Sequence, residues 1–98
     1  MDQKQWTKIA RRLKSISQSM QQGNVNGPVE ELHDITLEAR KGQEFGDQHL
    51  DFVIYDAIER VSGNFRVLKD SLNVAERLNY YVGQIDLIVY MIDQHILD

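Results

Sequence analysis

Glu30 and His33 stand in Glu-x-x-His spacing, which puts a carboxylate and an imidazole one turn apart on the same face of a helix. Bundles with a carboxylate-bridged pair of metal ions use that spacing twice and add a glutamate from each of two further helices. In this chain the pair occurs once. An acid at Glu30, in the first turn of a helix, is also accounted for by the helix dipole. The dipeptide His33-Asp34 is suited to metal-dependent phosphohydrolysis, but that chemistry needs further histidines and an aspartate from separate helices. Asp47, His49 and Asp51 instead crowd into one helix start. Helical bundles that relay a phosphoryl group through a histidine place a lysine and a glycine just after it, and neither His33-Asp34-Ile35-Thr36-Leu37 nor His49-Leu50-Asp51-Phe52 supplies them. The chain has no cysteine, no Gly-x-Ser-x-Gly elbow and no phosphate-binding glycine loop. The sequence therefore nominates no catalytic residue, no metal and no cofactor, and it predicts a protein that is not an enzyme.

Two residue sets remain that could bind rather than react. Lys4, Lys8, Arg11 and Arg12 fall close to one face of a helix, where they could contact phosphates or an anionic membrane surface. That strip stands against an acidic remainder. Residues 1–22 carry five basic side chains against Asp2, while the whole chain has a net charge of −4, so everything after the first helix sums to −8. Neighbouring acidic helices can neutralise such a strip, and no helix-turn-helix, zinc-finger or RNA-binding motif accompanies it. Nucleic acid is therefore the weaker expectation. The second set is Tyr80, Leu87, Tyr90 and Met91, with Gly83 among them. Tyrosine and methionine cover apolar area while keeping a polar or polarisable atom available, which suits a protein interface.

The elements that carry these sets follow from periodicity. Trp6, Ile9, Leu13, Ile16 and Met20 recur at steps of three and four and predict a first helix over about 2–22, opened by Asp2 and closed by Gly23. Gly23 to Gly27 is a turn. Pro28 suits a first helical position, and Arg40, Lys41 and Gly42 mark an end, so a second helix is predicted over about 28–41 with Val29, Leu32, Ile35 and Ala39 inward. Leu50, Ile54, Ala57, Val61, Phe65, Leu68 and Leu72 form a stripe that passes through Gly63. A glycine inside a helix costs roughly 1 kcal/mol relative to alanine, less than seven aligned apolar residues recover, so one helix over about 47–71 is favoured over an alternative broken at Gly63. A break at Asp70 to Asn73, with Asn73 and Glu76 in capping-box spacing, opens a fourth helix over about 73–97.

That fourth helix organises the whole chain. Val74, Leu78, Val82, Ile85, Val89, Ile92 and Ile96 make one apolar stripe, and Tyr80, Tyr81, Leu87, Ile88, Tyr90 and Met91 flank it. A helix apolar around so much of its circumference needs cover from other helices or from another chain. Four helices joined by short connections predict an antiparallel up-down-up-down four-helix bundle, one domain over 1–98, with no strand. Polar residues from Asn79 to His95 interrupt the last helix too often for a membrane span. The lack of cysteine and of an apolar leader suits the cytoplasm. The functional expectation is a small acidic helical module that works by protein–protein interaction. It would pair with itself as a homodimer or bind and inhibit a partner, in the manner of an immunity protein or a phage accessory subunit.

Overall fold

The computed structural model describes residues 3–43, 49–69 and 74–96. Four helices account for nearly all of them: α1 (Gln3–Gln21), α2 (Asn26–Gln43), α3 (His49–Leu68) and α4 (Val74–His95). No strand occurs among the described residues. The helices form an antiparallel four-helix bundle with α1 beside α4 and α2 beside α3 as the most extensive seams. The α3–α4 and α1–α2 seams close the ring, and among the described residues the diagonal pairs make no close backbone approach. Direction is fixed by named ties. Gln3 Nε2 donates to the Ile96 carbonyl at 3.4 Å, and Ser17 Oγ donates to Asp86 Oδ1 at 2.8 Å, so the start of α1 meets the end of α4. At 1.5 Å per residue the 22 residues of α4 span about 33 Å of the 40 Å long axis.

The core is made by the inward stripes that the spacing predicts. Trp6, Ile9, Leu13, Ile16 and Met20 are buried from α1, and Val29, Leu32, Ile35 and Ala39 from α2. α4 contributes Leu78, Val82, Ile85, Val89 and Ile92. From α3, Ile54, Val61 and Phe65 are buried as expected, joined by Tyr55 and Ile58, which the predicted stripe omits. The helix runs without interruption through Gly63, so the alternative broken there is not realised. Trp6 is enclosed, and its Nε1 has no hydrogen-bond partner among the described residues. An unmet buried N–H costs about 1–3 kcal/mol, which the large apolar area of the indole offsets.

Helix ends show where local chemistry acts. α1 stops in a Schellman motif: Gly23 takes φ 92, its N–H donates to the Met20 carbonyl at 2.9 Å, and the Asn24 N–H donates to the Ser19 carbonyl at 3.2 Å. α2 begins two residues before the predicted start. The Val29 N–H donates to the Val25 carbonyl at 3.0 Å, which makes Val25 the cap and places Pro28 third in the helix. Proline is tolerated there because the first-turn amides have no intrahelical acceptor. Glu30 and Glu31 consequently lie beyond the first turn, which holds no acid. At Lys69 the chain has left α3, short of the predicted end at 71, and at Ile96 it has left α4. The proposed cap Asp2, the predicted start of the third helix at 47 and the break at Asp70 to Asn73 lie outside the described residues.

Candidate protein-interaction face

The inward side of α4 is spent on the core, so what its outward side carries decides what the helix offers. Glu76, Tyr80, Gly83, Leu87, Tyr90 and Gln94 follow at steps of four and three and are all exposed, a second stripe opposite the buried one. Tyr80 is 62%, Leu87 53% and Tyr90 58% exposed, high values for large apolar side chains on a rigid helix. Met91 differs from its predicted companions: it is half-buried and packs against the core. Tyr81 and Ile88, expected on the flanks, point inward and are buried. Sequence places Tyr80 and Tyr81 together, but a turn of about 100° between neighbours sends one out and the other in.

The stripe borders an open groove between α3 and α4. Val53, Ala57, Arg60 and Asn64 form the α3 side, and Tyr80, Gln84, Leu87 and Met91 the α4 side, over a floor of Val61, Tyr81 and Ile88. An aromatic stack ties the rim to the core. Tyr80 meets Tyr81 edge-on at 5.3 Å between ring centroids, and Tyr81 packs on buried Phe65 at 5.2 Å. Burial pushes the Tyr81 hydroxyl above its ordinary value of 10.0, opposed by nearby Arg77 and reinforced by Tyr80. The charges at the α3 rim are satisfied within that helix, where Arg60 Nε pairs with Asp56 Oδ2 at 3.0 Å. On the other side of α4, Asp86 accepts from Ser17, and Asp93 Oδ2 lies 3.7 Å from Lys14 Nζ. Asp86 and Asp93 therefore turn towards α1, and the stretch from Tyr80 to Tyr90 is uncharged along its outer stripe.

The basic strip is divided by the fold. Lys4, Lys8 and Arg11 are exposed on the outside of α1. Arg12 instead reaches across to α2, with Nη1 2.9 Å from Glu38 Oε1 and Nη2 3.5 Å from Glu31 Oε2, and only 22% of its side chain is exposed. A comparable tie joins α2 to α3. Arg40 Nε donates to Tyr55 Oη at 3.1 Å and Nη2 to Glu59 Oε1 at 3.0 Å, and these contacts raise its already high pKa.

The chain matches no known protein-family model, and no curated protein or solved structure is significantly similar to it.

Glu30 and His33 are both exposed and edge a shallow depression with Asp34, Arg66 and Lys69. Among the described residues no group of three or more histidines and carboxylates is placed to hold a metal. The side chains of His49 and Asp51, and all of Asp47, lie outside the described residues. Sequence reasoning missed Phe52 and Val53 of α3, 55% and 39% exposed, and Val53 lines the groove. The run Phe52-Val53-Ile54-Tyr55 was the available signal, because four consecutive apolar residues on a helix cannot all face one way.

Proposed function

We propose that this chain is a protein-interaction module that receives an apolar polypeptide surface on its α3–α4 face and does no chemistry of its own. One observation carries the reading: Tyr80, Leu87 and Tyr90 stand out from a helix whose opposite side is buried, so their exposure is held in place by the core. Exposed apolar patches rimmed by polar side chains mark interaction sites, and rigid aromatic anchors lose little freedom on binding. Arg60, Asn64 and Gln84 supply that polar rim. A regulatory or inhibitory subunit works in this way, by covering part of another polypeptide.

The test uses a photo-crosslinking amino acid placed at Leu87 and, separately, at Lys8, in cells that make the full chain. The expected result is a discrete covalent polypeptide adduct from position 87 and none from position 8. Absence of any adduct at 87, or equal labelling at both positions, overturns the reading.

A further inference from the structure

The outer stripe of α4 is arranged symmetrically about Ile85. Glu76 and Gln94 lie nine residues before and after it, Tyr80 and Tyr90 five, and Gly83 and Leu87 two. All six are exposed. A two-fold axis perpendicular to an antiparallel pair of such helices carries each position onto its opposite, so an isologous contact centred on Ile85 brings matched residues together. Tyr80 would face Tyr90, an aromatic pair, and Leu87 would face Gly83.

The glycine is the more telling member. A side chain begun at Gly83 meets nothing within 4 Å, and its φ is not positive. Neither crowding nor backbone conformation within the monomer calls for glycine there, yet it weakens the helix. Its bare backbone leaves a notch one turn from the projecting Leu87, and two copies turned end for end seat each leucine in the other's notch, as knobs fit holes in packed helices. Charge permits the contact as well. Asp86 and Asp93 are turned towards α1, and the outer stripe holds no charge between Glu76 and Gln94, so two acidic chains meet on a neutral strip.

We infer that the occupant of the α3–α4 face is a second copy of this chain, docked antiparallel along α4 about a two-fold axis level with Ile85. This inference rests on the reading of that face as a protein-binding surface. Light scattering on the purified full chain over a range of micromolar concentrations should give twice the chain mass. Gly83→Leu and Leu87→Asp should each weaken the dimer by at least about tenfold, whereas Gly63→Ala, another open glycine in a helix, should leave it unchanged. The chain has no native cysteine, so pairing direction can be read chemically. When Tyr80→Cys and Tyr90→Cys chains are mixed with a short thiol cross-linker, mixed dimers should exceed both like pairs. That readout stands even if Leu87→Asp fails to fold.

A monomer at all concentrations overturns the inference, as do like pairs in excess or a dimer that ignores Gly83→Leu. If the purified chain is monomeric while position 87 still captures a different polypeptide in cells, the face binds a partner and only the self-pairing fails. If position 87 captures nothing, both readings fall.

Discussion

α1 and α4 pack against each other along one of the two most extensive seams of the bundle, yet their outward faces are opposites. α1 buries one apolar seam and turns Lys4, Lys8 and Arg11 to water. α4 buries a seam as complete and then presents Tyr80, Leu87 and Tyr90 on its far side. Both inward seams are needed for the fold, so they report only on stability. The outward faces are where the two helices part, and on α4 that face holds apolar area the fold does not use. A buried stripe therefore locates the core, and the side opposite it locates the work.

The two helices differ only on their outward faces if their inward seams prove equally costly to disturb. Leu13→Ala in α1 and Ile85→Ala in α4, both fully buried, should each cost about 2–5 kcal/mol in urea denaturation. Lys8→Ala and Tyr90→Ala, measured in a Leu87→Asp background that removes association, should each stay within about 0.5 kcal/mol. A Tyr90→Ala loss as large as that of Ile85→Ala would show that the outer stripe belongs to the core after all.

The next effect tests the tie between the two helices. Ser17→Ala removes the hydroxyl donated to Asp86 at 2.8 Å and should cost about 1–2 kcal/mol, with little change when Asp86 is already alanine. Smaller again is Arg12→Gln, which unfastens α1 from Glu31 and Glu38. The half-exposed partners limit the loss to about 0.5–1 kcal/mol, and it should shrink as salt is raised.

The smallest effect appears only in alkali. Tyr81 in the folded chain keeps its proton to a higher pH than in the unfolded chain, where its value is 10.0. Its contribution is whole below that pH and is lost as pH rises through the higher folded value, because the unfolded state ionises first. Thermal midpoints of the native chain should fall across this window more steeply than those of Tyr81→Phe.

Much of this architecture was legible because helical spacing reports which side of its own helix a residue occupies. The α1 seam, the inward residues of α2, the α4 core stripe and the Gly23 terminator all follow from that rule. What spacing does not carry is the neighbour. Nothing in the order of residues says that Arg12 leaves the basic strip to meet α2, or that Asp86 finds Ser17 sixty-nine residues away. α2 starts at Asn26 and not at Pro28 because proline is accepted anywhere in a first turn, so Pro28 marks a region and not a residue. Of the candidate interface, Tyr80, Leu87 and Tyr90 were readable as surplus on an already satisfied helix. Met91 was not, because a flank position becomes core or surface according to how close α3 comes. Val53 was overlooked for the same reason from the other side of the groove.

The ring order of the helices also has a consequence for how the chain is made. Three seams join helices that follow one another, but the fourth joins the first to the last. During synthesis at about 5–20 residues per second, the roughly seventy residues between Met20 and Ile92 take about 4–14 s to emerge. For that interval Trp6, Ile9 and Leu13 have no α4 to lie against. Until α4 emerges, α1 can close only its seam with α2.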